Sequence, residues 1–111
     1  PLTKDMIPGS ATHPGELITD EIKARKLNQK EVAKSLGVQP SFLSELIHGK
    51  RNVNPELAIK LEMVLGISAK TWMNLQVNYE LDIVRIKYRD FLKKDNFLPK
   101  KQISEKKVVV A

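Results

Sequence analysis

The chain has 111 residues, of which 41% are hydrophobic and none is cysteine, and its formal net charge is +6. This length fits one domain with a small core, and the lack of cysteine excludes disulfides and thiolate metal sites. Residues 1–82 carry ten basic and ten acidic side chains, whereas residues 83–111 carry nine basic and three acidic ones. The excess positive charge therefore lies in the C-terminal segment and gives no support for nucleic-acid binding by the first 82 residues.

The N-terminal residues show neither a signal peptide nor a membrane span. No run of 18 or more apolar residues occurs, so we expect a cytoplasmic protein without a membrane partner. Residues 1–12 mix proline, glycine, serine and threonine without a period, which predicts a flexible N-terminal arm.

Helical signals begin at residue 13. Pro14 can open a first helix, with Ile18 and Ile22 facing inward. Asn28 is placed to cap a second helix, and Glu31 stands three residues later in a capping-box-like arrangement.

The stretch from 28 to 51 predicts a helix-turn-helix. Gly37 can take the positive φ that ends the second helix, and Ala33 is small enough for a close helix crossing. Pro40 then suits the first position of a third helix. Its apolar positions are Leu43, Leu46 and Ile47, which leaves Ser41, Ser44 and Glu45 on the outer face. An outward polar face is what a reader of the DNA major groove needs.

Two further helices and an extension follow. Gly49 should end the third helix, Asn54 and Pro55 open a fourth, and Ser68 caps a fifth that carries Trp72, Leu75 and Tyr79 as core or dimer-interface residues. The predicted fold is all-α, with a five-helix domain over 13–82. Residues 83–111 form an extension, in which the fifth helix continues or a sixth follows to about 94, before a disordered basic tail.

Three stretches resemble the HigA-type antitoxins, which belong to the phage-repressor-like (Xre) helix-turn-helix class. They are H-P-G-E-L-I at 13–18, L-G-I-S-A-K-T-W-M-N-L-Q-V-N-Y-E-L-D at 65–82, and a spaced set between them: Gln29, Ala33, Gly37, Val38, Leu43, Glu45, Gly49, Lys50 and Arg51. The resemblance covers about residues 12–83 and leaves the tail out.

This resemblance implies a homodimer that binds double-stranded operator DNA in its own promoter. It also implies a cognate toxin, a ribosome-dependent endoribonuclease that cleaves messenger RNA, and a chain that is not itself an enzyme and needs no cofactor or metal. By motif position, the base-facing residues would be Gln39, Pro40, Ser41, Ser44 and Glu45. The DNA backbone would be contacted by Asn28, Gln29, His48, Lys50, Arg51 and Asn52.

Several alternatives stay open from the residues alone. Ser41 and Ser44 could belong to a solvated helix face, and Pro40 could make an apolar contact with a thymine methyl group. Glu45 could accept a hydrogen bond from cytosine N4, or could orient a neighbouring lysine or arginine. His48 could be a local cap or a phosphate contact, and His13 a helix-entry residue.

Two other functions compete with the antitoxin. A stand-alone helix-turn-helix repressor would share all the DNA-contacting residues and lack a toxin partner. The neutral charge of residues 1–82 would also suit an interaction module that has lost DNA binding. No nucleophile, oxyanion or metal constellation accompanies the two histidines, which argues against an enzyme.

Overall fold

Local sequence signals set the positions of six helices in the computed structural model, which describes residues 8–92. The helices are α1 (Pro14–Ala24), α2 (Gln29–Leu36), α3 (Pro40–Ile47), α4 (Pro55–Leu65), α5 (Ala69–Lys87) and α6 (Arg89–Leu92). No strand occurs in this part of the chain, so the predicted all-α fold is confirmed. The fifth helix continues unbroken past residue 82, and a short sixth helix follows it.

Polar caps begin the helices where the sequence predicted them. The Asn28 side-chain oxygen accepts hydrogen bonds from the Lys30 and Glu31 amides at 2.8 and 3.2 Å. The Asn54 side chain caps α4 and Ser68 caps α5 in the same way. Each cap satisfies amide groups that have no partner inside the helix, typically contributing about 1 kcal/mol.

The turn between α2 and α3 depends on Gly37, whose φ is +74°. This left-handed conformation lets the Val38 amide donate to the Ala33 carbonyl at 3.0 Å, which closes the end of α2 and turns the chain toward α3. Ala33 is fully buried at the crossing. The turn is therefore short because a glycine ends one helix and a proline three residues later begins the next.

The core fixes α3 against its neighbours. Leu43 and Leu46 have no exposed surface, and burial of a leucine side chain contributes roughly 1.5–3 kcal/mol. They pack in one cluster with apolar residues from the other helices, namely Ile18, Val32, Ala33, Leu36, Val53, Leu57, Ala58, Leu61, Leu65 and Trp72. Because the inner face of α3 is fixed in this core, the direction in which its outer face points is fixed as well.

The start of α1 lies directly against the end of α3. The His13 Nδ1 accepts a hydrogen bond from the Gly15 amide at 2.8 Å, which confirms His13 as a helix-entry residue. Gly15 is buried, and a Cβ atom there would lie within 2.8 Å of the Ile47 carbonyl oxygen and would also overlap the Leu46 carbonyl. Only glycine lets the α1 backbone approach these carbonyls so closely.

The expected arm and tail lie partly or wholly outside the described residues. Residues 8–12 form no helix, and the Pro8 carbonyl accepts a hydrogen bond from Arg89 at 3.0 Å. The arm over 1–7 and the tail from 93 onward are not described, so those predictions stay untested. Among the described residues, no helix is long and apolar enough to cross a membrane.

Gly15→Ala should lower the free energy of unfolding by about 1–3 kcal/mol, because the new methyl group meets backbone carbonyls that cannot move aside like a side chain. Urea unfolding followed by circular dichroism measures the change. Gly9→Ala is the matched control, because nothing lies within 4 Å of a Cβ at that position. Equal stability of the Gly15→Ala chain and the control would contradict the close α1–α3 contact.

Candidate nucleic-acid interface

One side of α3 carries the residues predicted to face DNA bases. Gln39, Pro40 and Ser41 are exposed, and the outer Ser44 and Glu45 are half-buried. The opposite side carries the fully buried Leu43 and Leu46. The helix therefore presents a short polar surface on a rigidly packed support, and Gln39 starts it without a side-chain cap.

Glu45 makes a contact within the protein that bears on its role. Its Oε1 accepts from Arg51 Nε at 2.7 Å, and the Arg51 guanidinium lies 4.9 Å from the centre of the Phe42 ring. Arg51 is thus held by an ion pair and by a cation–π contact, both at the rim of α3. Of the two roles considered for Glu45, this geometry favours orienting an arginine over reading a cytosine. Both side chains of the ion pair are about half exposed, so it adds little stability.

The loop after α3 is positioned by a residue that the sequence analysis missed. Gln76 of α5 is 2% exposed, and its Oε1 accepts a hydrogen bond from the Val53 amide at 2.8 Å. This contact joins residues that lie 23 positions apart in the chain. It anchors one end of a loop whose exposed members are Lys50, Arg51 and Asn52. The sequence carried a signal for this role, because Gln76 is a polar residue four positions after Trp72 on the inward face of an amphipathic helix.

A second missed feature is a basic groove between α2 and α3. A shallow cavity of about 450 Å³ is lined by Lys30, Glu31, Lys34, Val38 and Pro40. Lys30 and Lys34 are exposed and stand one turn apart on α2, next to the first residue of α3. Two cations beside the reading helix are suited to contact phosphates on one strand. Their spacing of four residues could have indicated this from the sequence.

Asn28 and His48 use part of their hydrogen-bonding capacity within the protein. The Asn28 side-chain oxygen caps α2, as described above, which leaves its amide nitrogen for an outside acceptor. His48 Nδ1 lies 2.7 Å from the Ser44 carbonyl, so this nitrogen carries the hydrogen. That contact is the local cap considered for His48. Gln29 is exposed at the first position of α2.

The three residues predicted as core or interface lie mainly inside the fold. Trp72 has no exposed surface, and its Nε1 donates to the Ile67 carbonyl at 3.0 Å, which makes it a core residue. Leu75 is half-buried against the core. Tyr79 is half-buried as well, with its ring edge-on to His13 at 4.8 Å between centroids.

The described residues contain no metal-binding cluster. Within 8–92, no three histidine, aspartate or glutamate side chains gather closely enough to hold an ion. The groups that do come together around α3 are hydrogen-bond donors, acceptors and cations, together with the carboxylate of Glu45 that pairs with Arg51. This arrangement is suited to binding a polyanion by contact.

Comparison with known proteins places this geometry among DNA-binding regulators. The helix-turn-helix family pattern matches residues 18–72. YddM of Escherichia coli, described as an uncharacterised helix-turn-helix-type transcriptional regulator, is 37% identical over 68 residues, which cover 61% of this chain and 72% of YddM.

Two solved structures have the same fold. An antidote-type protein of a plasmid maintenance system from Nostoc punctiforme is 30% identical with a TM-score of 0.69, over 76% of this chain and 92% of that one. Antitoxin HigA of Pseudomonas aeruginosa, solved with the higBA promoter, is 25% identical with a TM-score of 0.67, over 79% and 99% of the two chains.

Glu45→Gln should raise affinity for duplex DNA of any sequence by about three- to tenfold, because it removes a negative charge from the rim of α3 and releases Arg51 toward phosphate. Fluorescence anisotropy with a random-sequence duplex measures the gain. Glu56→Gln is the control, because Glu56 also pairs with a cation, Lys60 at 3.5 Å, but lies on α4. A change confined to duplexes altered at one C·G pair would instead identify Glu45 as a base reader.

Proposed function

Because the chain belongs to the phage-repressor-like (Xre) helix-turn-helix family, we propose that it is an antitoxin that binds operator DNA as a homodimer and represses its own operon. In the same proposal it neutralises a toxin encoded beside it, a ribosome-dependent endoribonuclease that cleaves messenger RNA. In the same proposal the protein acts by binding, in the cytoplasm, and not as an enzyme.

The DNA-binding part of this proposal rests on one observation: α3 has a buried apolar face and an accessible polar face. Its inner leucines are fully buried and its outer residues are accessible, so the helix can enter a major groove without rearrangement of the core. Ser41 and Ser44 offer hydroxyl groups that donate and accept, and Pro40 offers an apolar contact for a thymine methyl group. Gln39 completes this base-facing set at the start of the helix.

Backbone contacts would flank α3 on both sides. Lys50, Arg51 and Asn52 lie on the loop after α3 and supply two cations and an amide to the phosphates. Gln29 and the free amide nitrogen of Asn28 lie at the start of α2, near the positive end of that helix. We add Lys30 and Lys34 from the groove to this set, and we place His48 last because its Nδ1 is already bonded.

Specificity in this proposal depends on spacing and shape as well as on base contacts. The outer face of α3 offers few strong base-reading groups, since it has two serines and no arginine, asparagine or lysine. A homodimer would read two half-sites about one helical turn apart, roughly 34 Å, and the DNA between them would be read through its deformability.

The antitoxin part is supported by two of the relatives compared above. The protein from Nostoc punctiforme is described as an antidote, and HigA from Pseudomonas aeruginosa as an antitoxin solved with its promoter. Both cover most of the helical domain of this chain. A stand-alone repressor is the second candidate, because the relative YddM is described as a transcriptional regulator and not as an antitoxin.

Co-purification separates the two candidates. When the chain is expressed together with the neighbouring reading frame, an antitoxin should retain a small basic protein through size-exclusion chromatography and restore growth of cells that express that protein. A stand-alone repressor would do neither, although its binding to operator DNA would be intact.

Arg51→Ala should weaken binding to all duplex sequences about equally and reduce the slope of log K against log salt by about one, because one phosphate contact is lost. Binding to the region upstream of the gene, measured at several salt concentrations, gives both quantities. Lys70→Ala, which removes an exposed cation at the start of α5, should leave the slope unchanged. A loss restricted to particular sequences would contradict a phosphate contact for Arg51.

Ser44→Ala should change the preference among operator variants, with a penalty of about 1–3 kcal/mol at one base pair of each half-site. Competition binding with single-base-pair substitutions across the operator measures this preference. Ser35→Ala on α2 serves as the control, because Ser35 is exposed away from the outer face of α3. A uniform loss across all operator variants would show that Ser44 does not read a base.

A further inference from the structure

A short series of hydrogen bonds runs from the surface of α5 to the loop after α3. At its inner end Gln76 Oε1 accepts from the Val53 amide at 2.8 Å, and at its outer end Gln76 Nε2 donates to Glu80 Oε2 at 2.8 Å. Gln76 and Val53 are 2% and 3% exposed, whereas Glu80 is an exposed residue. One side chain therefore connects a surface carboxylate to a buried backbone amide.

The chemistry of the two ends allows one orientation of the Gln76 amide. A backbone N–H only donates, and an ionised carboxylate only accepts. The oxygen of Gln76 therefore faces Val53 and its nitrogen faces Glu80. The reversed orientation would set two donors against each other at Val53 and two acceptors against each other at Glu80. Removal of Glu80 would abolish half of this selection and leave the Gln76 nitrogen without its partner.

The Val53 amide fixes one end of the loop that carries the proposed phosphate contacts. It belongs to the peptide group that joins Asn52 to Val53, so its direction sets the course of the chain directly after Asn52. The other end of the loop is held by α3 itself, where the Lys50 amide donates to the Glu45 carbonyl at 2.8 Å. Gln76 thus holds the loop from α5, at the end that lies farthest from α3.

Glu80 and its neighbour Asp82 are used differently. Within residues 8–92, no lysine or arginine forms a salt bridge with the Glu80 carboxylate, whose hydrogen bond goes to Gln76. Asp82 lies on the same helix and accepts from Arg85 at 3.1 Å. The carboxylate of Asp82 is therefore engaged along the helix surface, whereas that of Glu80 is bonded to a buried side chain.

We propose that Glu80 is a positioning residue for DNA binding, because its carboxylate orients the Gln76 amide that holds the loop after α3 through Val53. This inference rests on the proposed function and deepens it. The expected effect has the opposite sign to that of charge alone. Loss of a negative charge generally favours binding to a polyanion. Loss of Glu80 should instead weaken binding, because the phosphate-contacting side chains would have to be ordered when DNA binds.

Hydrogen exchange of the Val53 amide, followed by nuclear magnetic resonance, tests the hydrogen-bond series without DNA. In Glu80→Ala this amide should exchange about tenfold faster than in the wild type, because its acceptor is no longer held in place. Alanine suits an exposed helix position, so α5 itself should stay intact. Glu80→Gln retains an acceptor oxygen and should stay within about threefold of the wild type. An unchanged rate in Glu80→Ala would overturn the proposal.

Binding to the region upstream of the gene, measured by fluorescence anisotropy, tests the consequence. Glu80→Ala should bind about three- to tenfold more weakly, and Glu80→Gln within about twofold of the wild type. Asp82→Ala is the matched control, since it removes one negative charge from the same helix without touching Gln76, and it should not weaken binding. Undiminished binding by Glu80→Ala, or equal losses in Glu80→Ala and Glu80→Gln, would overturn the proposal.

A double-mutant cycle tests whether Glu80 acts through Gln76. In a Gln76→Met chain, Glu80→Ala should change DNA affinity by less than about twofold, because the hydrogen-bond series is already broken. A second loss of full size in that chain would overturn the proposal. If Gln76→Met does not fold, the Glu80 variants alone decide. Failure of the wild type to bind the upstream region would contradict the proposed function, and Val53 exchange would still decide whether Glu80 holds the loop.

Discussion

The close contact of α1 with the end of α3 sets the geometry on which DNA binding would depend. Gly15 brings the α1 backbone against the carbonyls of Leu46 and Ile47, and His13 holds the first turn of α1 in place. The exit of α3 is held from another direction, where Gln76 binds the Val53 amide. The two contacts fix α3 and the loop after it as one unit, so the outer residues of α3 and the cations of the loop keep a constant spacing. A rigid spacing is what recognition of bases and phosphates together requires.

Gln76 also connects this unit to the exposed part of α5. Its side-chain oxygen accepts a hydrogen bond from the Val53 amide in the loop after α3, and its side-chain nitrogen donates to the Glu80 carboxylate one turn further along α5. A single buried amide therefore joins the loop after α3 to α5. Replacement of such a residue would leave the Val53 amide without its partner, which is costly in a buried setting. The W-x-N-L-Q run at 72–76 thus contributes a core residue, Trp72, and a residue that positions the loop after α3, Gln76.

The helix starts could be predicted from sequence because caps are local chemistry. Asn28, Asn54 and Ser68 accept hydrogen bonds from amides within three residues, and the structure places each where it was expected. Pro40 begins α3 through its fixed φ and makes no cap hydrogen bond. The sequence places a polar residue on the inward face of α5 at Gln76, but neither its partner Val53 nor the backbone contacts of Gly15 could be predicted. These contacts join segments more than twenty residues apart and depend on how the helices pack. The sequence left two roles for Glu45 for the same reason, because the choice between them depends on where the Arg51 side chain lies.

The proposal that the outer face of α3 enters the major groove can be tested most directly by cleavage from that face. The chain has no cysteine, so Ser41→Cys gives a single attachment point for an iron chelate that cuts nearby DNA. Bound to the region upstream of the gene, this conjugate should cut in two clusters about one helical turn apart, each centred on a major groove. The same chelate at Ser68→Cys, at the start of α5, should cut weakly or not at all. Equal cutting from both positions, or cutting without a repeat, would contradict entry of α3 into the groove.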